Sequence, residues 1–294
     1  DTHVGGGATR EDKFFSKAGL MDGTPERRGS VPTDWLTGTL ANWLMPEMVK
    51  EVDGKTYLAS NVFEYWGASG LAAVWAEENT RESIYQAFRR KETFATSGPR
   101  IQVRFFAGLD YPDDLLDDPA AVAKAYAGGV AMGSDLIGAE GAAPEFLVWA
   151  MADPASAPLQ RLQVVKGWEQ EGASYEQVYD VACSDGGSVE PETRRCPDNE
   201  ASVSAEDCSI STDRGAAELK LMWRDPDFDA SQEAFYYLRA IENPSCRWST
   251  WEALRAGEEP RSDLPRTIQE RAWSSPIWYR APSVASQSGE SAEA

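Results

Sequence analysis

Apolar and polar residues follow two different rhythms along this chain. From residue 101 they alternate: Ile101, Val103 and Phe105 are separated by Gln102 and Arg104, the period-two sign of a strand with one wet face. Further strands are predicted over 146–151, 162–166, 175–181, 218–223 and 235–241, with turn-rich segments between them. An antiparallel sheet packed as a sandwich is the economical arrangement for that list.

Before residue 100 the rhythm is helical or continuous. Residues 34–49 read as a helix carrying Trp35, Leu36, Leu40, Trp43 and Leu44, with Thr33 as its cap. Residues 71–76 are nearly all apolar, as a strand covered on both faces should be. A second helix follows, with Asn79 as its cap and Glu82 at the third position. Its expected buried stripe is Ile84, Tyr85, Ala87 and Phe88, and Arg89, Arg90 and Lys91 suit the negative end of its dipole. A strand leading into a capped helix is one α/β repeat. Gly98-Pro99 then redirects the backbone from the first region to the second.

Size and charge narrow the picture. The chain's 294 residues suffice for one large domain or two ordinary ones. Its 48 acidic and 28 basic residues give a formal charge of -20, which repels nucleic acid and anionic membranes at long range. No run approaches the roughly 20 apolar residues of a membrane span. Cys183, Cys196, Cys208 and Cys246 form an even set, and three of them lie in or beside a polar insertion over 184–213. Two disulfides in an oxidising compartment are expected, with three pairings open, which points to a periplasmic or secreted protein. Residues 283–294 are small and polar and read as a flexible tail.

Candidate chemistry concentrates at the amino end. His3 is the only histidine, and Asp1 stands two positions before it, so a carboxylate and an imidazole are offered from one short segment. There is no start methionine, and the numbering is expected to begin inside a larger protein. Arg10 and Arg81 are candidates for holding an anionic group, although a structural ion pair or a place on a helix surface is the commoner role for each. Glu77 and Glu78 either face a cleft or serve the helix entry. Trp248, Trp251, Trp273 and Trp278 either line a pocket or pack between regions, and Glu270 and Arg271 read as a satisfied pair. The Asp-Pro-Asp-Phe-Asp stretch at 225–229 lacks the spacing of a calcium loop.

Three long strings carry a family resemblance: AVWAEENTRESIYQAFRRKETFATSGPRI at 73–101, AFYYLRAIENPSCRWSTW at 234–251 and TIQERAWSSPIWY at 267–279. Through them the chain resembles the C-terminal portion of DUF3604 family proteins. Their barrel part is in turn similar to the PHP (polymerase and histidinol phosphatase) superfamily of metal-dependent hydrolases. The resemblance implies that residues 1–100 form the C-terminal part of a PHP-like α/β barrel, with a β-rich region over 101–282. It implies that Asp1 and His3 match an Asp-x-His metal element, for zinc or manganese with iron as a further candidate. The remaining ligands would come from an upstream segment of the same protein. The implied activity is hydrolysis of a small-molecule phosphoester by metal-activated water, with Arg10 or Arg81 steadying an anionic substrate. A non-phosphate ester or amide hydrolase on the same scaffold, and a non-catalytic binding or scaffolding protein, are the alternatives.

Overall fold

The computed structural model describes residues 6–58 and 63–282. The described residues before position 70 are mostly short turns and include two α-helices, α1 (Pro25–Arg28) and α2 (Trp35–Leu44). Helix α2 is capped by Asp34, whose Oδ1 accepts from the Thr37 N–H at 3.0 Å, and it stops before Pro46. It leaves Trp35, Leu36 and Trp43 exposed. A hairpin follows, β1 (Val49–Val52) and β2 (Lys55–Leu58), closed by Asp53-Gly54 with both residues at positive φ. That is the two-residue turn whose twist matches the strands it joins.

The rest of the chain supplies β3 (Leu71–Val74), α3 (Arg81–Arg89), β4 (Thr93–Thr96), β5 (Gln102–Gly108), α4 (Ala121–Gly128), β6 (Gly129–Ala131), β7 (Asp135–Ile137), β8 (Glu145–Met151), β9 (Leu159–Gln170), β10 (Ala173–Cys183), β11 (Glu218–Arg224), β12 (Ala234–Cys246), α5 (Trp248–Arg255), β13 (Thr267–Ser274) and β14 (Ile277–Arg280). Eight strands make one open sheet in the order β10-β9-β12-β13-β4-β3, with β14 paired to β12 and β7 paired parallel to β14. Four make a second sheet, β11-β8-β5-β6.

The inner faces of the two sheets meet in the main core. Val103, Phe105, Phe146 and Val148 from the small sheet share it with Leu162, Val164, Leu238, Ala240 and Ala272 from the large one. Strand alternation does the sorting, since every second residue of β12 from Ala234 to Ala240 is buried.

The expected PHP-like α/β barrel over residues 1–100 does not form; the described residues contain open sheets and no closed barrel. Strand β3 pairs antiparallel with β4, and β4 pairs antiparallel with β13, so this strand–helix–strand unit extends the edge of the large sheet. An apolar run marks a strand but carries no information on its direction, which is why the barrel expectation failed. As an edge strand β3 is only partly buried. Helix α3 is capped by Thr80, not Asn79, with Thr80 Oγ1 accepting from the Ser83 N–H at 3.3 Å. Its expected stripe is largely uncovered: Ala87 is buried, whereas Tyr85 and Phe88 are 55% and 54% exposed.

The amino-terminal segment is fastened to α5 by buried charges. Arg28 pairs with Glu252, which also accepts from the Ser30 hydroxyl. Arg261 contacts Glu64 at 2.8 Å and the Gly29 carbonyl at 2.8 Å. Phe14 stacks on Trp248 with ring centroids 4.8 Å apart. The disulfides are Cys183–Cys196 and Cys208–Cys246, with Cα separations of 5.5 and 5.6 Å. They tie the polar insertion to the ends of β10 and β12.

Candidate functional site

Asp1 and His3 lie outside the described residues. Arg10 lies on the wall of a cleft of about 520 Å³ between the amino-terminal loop and the β-rich region. Its Nε and Nη2 donate to Asp12 at 2.8 and 3.0 Å, a bidentate pair that raises its already high pKa. Arg81 begins α3, is exposed and does not line this cleft. The structure therefore does not bring the two candidate arginines together in the cleft.

The cleft is built where several backbone segments converge. Gly98 sits at φ 155° with the Thr9 carbonyl where a side chain would begin, so only glycine allows the loop to close against this strand exit. Asp153 accepts the Arg100 N–H at 2.8 Å and the Ala155 N–H at 2.9 Å, fixing the turn after β8. The Cys208–Cys246 disulfide and Trp251 complete the wall, and Glu270 of β13 lies among the lining residues.

Carboxyl groups dominate the electrostatics here. Glu270 is 4% exposed, and burial raises its pKa to about 7. The Ser97 hydroxyl donates to Glu270 and favours its ionised form, whereas the charge of Glu11 opposes ionisation. Glu242 is fully buried and raised to about 8, with burial the largest cause and the charges of Glu270 and Asp153 adding to it. Its Oε2 accepts from Ser156 Oγ at 2.6 Å; among the described residues its Oε1 has no hydrogen-bond partner. Burial also raises Glu11, whose oxygens accept the Ala68 and Trp248 N–H groups at 2.6 and 2.7 Å. Burial thus shifts both Glu242 and Glu270 toward their protonated forms relative to an ordinary carboxyl.

Sequence reasoning did not single out Glu242, and it treated Glu270 as the partner of Arg271. The missed signal was register. Glu270 shares a strand face with buried Ala272 and Ser274, so it points inward while Arg271 points to the other face. A charged residue on an inward-facing register is itself informative.

The other singled-out residues fall to structural roles. Trp248 is fully buried and its indole donates to the Trp66 carbonyl at 2.5 Å. Trp278 is 40% exposed and packs on Phe235. Asp225 accepts from Lys166 Nζ at 2.6 Å and Tyr236 Oη at 2.9 Å, which makes it a buried ion-pair anchor. Glu77 does line a second cavity of about 530 Å³, beside Trp75, Glu92, Arg104 and Tyr126. There Arg104 stacks 3.6 Å over Trp75, and Glu92 accepts from both Arg90 and Tyr126, so these two charged groups already have partners. Among the described residues no group of three or more histidine, cysteine, aspartate or glutamate side chains converges to hold a metal.

Over residues 1–281 the sequence matches the family described as "Protein of unknown function (DUF3604)". The chain belongs to that family. No curated protein and no solved structure matches it.

Proposed function

For a DUF3604 chain with this cleft, we propose a hydrolase acting on a small anionic ester, with phosphoesters as the leading substrate class and Glu270 as the acid–base group. The observation that carries the reading is Glu270 itself, a cleft-lining carboxyl whose surroundings raise its pKa to about 7. In the ionised form it takes a proton from the attacking water. The water oxygen bonds to phosphorus, the bond from phosphorus to the ester oxygen breaks, and Glu270 returns the proton to that departing oxygen. Protonated Glu242 limits the negative charge beneath the cleft. Arg10 commits Nε and Nη2 to Asp12, and its remaining N–H donors are available to an oxyanion. Arg81 has no part in this cleft.

Kinship with the PHP superfamily and dependence on zinc, manganese or iron belong to the same proposal. The described carboxylates do not supply a metal donor set, and Asp1 and His3 lie outside the described residues, so no step is routed through a metal. Two disulfides support the proposed periplasmic or secreted location.

The test is the pH–rate profile of the full-length protein on chromogenic phosphomonoesters, phosphodiesters and carboxylesters. Activity on a phosphoester should rise through about pH 7, and Glu270→Gln should lower kcat by roughly 10²-fold or more and abolish that limb. Unchanged kcat in Glu270→Gln, or activity confined to carboxylesters, would overturn the corresponding part of the proposal.

A further inference from the structure

The opposite face of the large sheet carries a different chemistry. Arg161 of β9, Arg239 of β12, Arg271 of β13 and Arg195 of the disulfide-tied insertion line one open cavity of about 620 Å³. Sheet register assembles it, because Arg161 and Arg271 both pair with Ile241 on the central strand, and Arg239 lies two residues earlier on the same face. The Cys183–Cys196 bridge holds Arg195 over the fourth side.

Four guanidinium groups meet two lining carboxylates, Asp180 and Asp198. Asp180 is already crowded. It accepts from Gln163 Nε2 at 2.5 Å, Arg195 Nη1 at 3.3 Å and the Cys196 N–H at 2.8 Å, and lies 3.6 Å from Arg161 Nε. Among the described residues, neither Arg239 nor Arg271 has a carboxylate within ion-pair distance. Arg239 Nε donates to the neutral Gln163 Oε1 at 2.7 Å, and Arg271 donates to the Gln269 carbonyl at 3.1 and 3.2 Å. Each guanidinium has five N–H donors, so most of theirs are left for a ligand. Burial lowers the pKa of Arg161; the charge of Asp180 opposes this, and the charges of Arg195, Arg239 and Arg271 add to the lowering.

We propose that this arginine cluster binds the phosphate or sulfate group of a small molecule. Tetrahedral oxyanions present several acceptors to converging guanidinium forks and relieve the cationic repulsion. A chain charge of -20 disfavours the approach of a long polyanion, whereas a small anion entering a concave cationic site meets the local field. The site stands apart from the Glu270 cleft, across β13, and does not rest on the hydrolase reading.

Calorimetric titration of the full-length protein with inorganic phosphate and with inorganic sulfate, at ionic strength fixed by chloride, tests this. Saturable binding of either anion is expected, and the two arms identify which is preferred. Arg239→Gln and Arg271→Gln should each weaken it by about tenfold or more. Arg239→Lys, which keeps the charge and most of the packing but loses the fork, should weaken it less than Arg239→Gln does. Loss of binding in Arg239→Gln assigns the anion to this cavity and not to the Glu270 cleft, which Arg239 does not line, and so separates failure here from failure of the cleft proposal. Absence of saturable binding of both anions, or binding unaltered in the two glutamine variants, would overturn it.

Discussion

Glu270 and Arg271 are adjacent in the chain yet serve opposite faces of β13: the carboxyl lies in the carboxyl-rich cleft and the guanidinium in the arginine cluster. One peptide bond separates two regions of opposite charge character. The pleat of the strand, which alternates side chains across the sheet, is sufficient to do this.

The Ser97 hydroxyl favours ionised Glu270. Ser97→Ala removes that donor and should move the Glu270 titration to higher pH, with the kinetic limb following it. Carboxyl titration by ¹³C NMR, compared with the pH–rate profile, checks both; a limb that stays in place separates Glu270 from the activity.

Glu242 gives stability a pH dependence of definite sign. Its folded pKa, about 8, lies above the ordinary 4.5, so the folded state binds the extra proton between these values. Stability linked to this group is full below about pH 4.5 and is lost as pH rises through 8. Glu270 acts in the same direction up to about pH 7. Glu242→Gln should therefore flatten the fall in Tm between pH 5 and 9 and raise Tm at the alkaline end by several degrees, roughly 2–4 °C for each kcal/mol in a domain of this size. Thermal melts across that range supply the comparison.

Arg28 and Glu252 form a buried pair, 4% and 7% exposed, joining the amino-terminal segment to α5. Removing one partner strands the other charge. Arg28→Met and Glu252→Gln should each cost about 3–5 kcal/mol in urea unfolding, with the double variant losing less than the sum. Full additivity would show that the pair is not coupled.

The two disulfides close loops of different length, with partners separated by 13 and 38 residues. Loop entropy predicts about 3 kcal/mol lost in Cys183→Ala/Cys196→Ala and about 4 kcal/mol in Cys208→Ala/Cys246→Ala. Denaturant titration of both variants under oxidising conditions tests the order.

Much of the β-rich region was legible because its signals are local. Alternation in Ile101, Val103 and Phe105 located β5, and similar patterns located the cores of β8 to β12, although β9, β10 and β12 run longer than their apolar stretches. The β1–β2 hairpin was missed despite its Asp53-Gly54 turn, because Lys50, Glu51, Lys55 and Thr56 dilute the apolar pattern of the strands. Strands β13 and β14 were also missed: Glu270 and Arg271 obscured the alternation of the first, and Pro276 interrupts the run into the second.

The linear order of residues alone determined where many strands begin, that four cysteines were available to bridge, and that the molecule carries a large negative charge. Those are properties of composition and of neighbours two to four positions apart. Only the tertiary structure decided that β3 and β4 run antiparallel into an open sheet, which cysteines meet, and which face of β13 receives Glu270. Strand direction, bridge pairing and the desolvation that lifts a carboxyl pKa all depend on segments far apart in the chain being held together. No local pattern encodes that proximity.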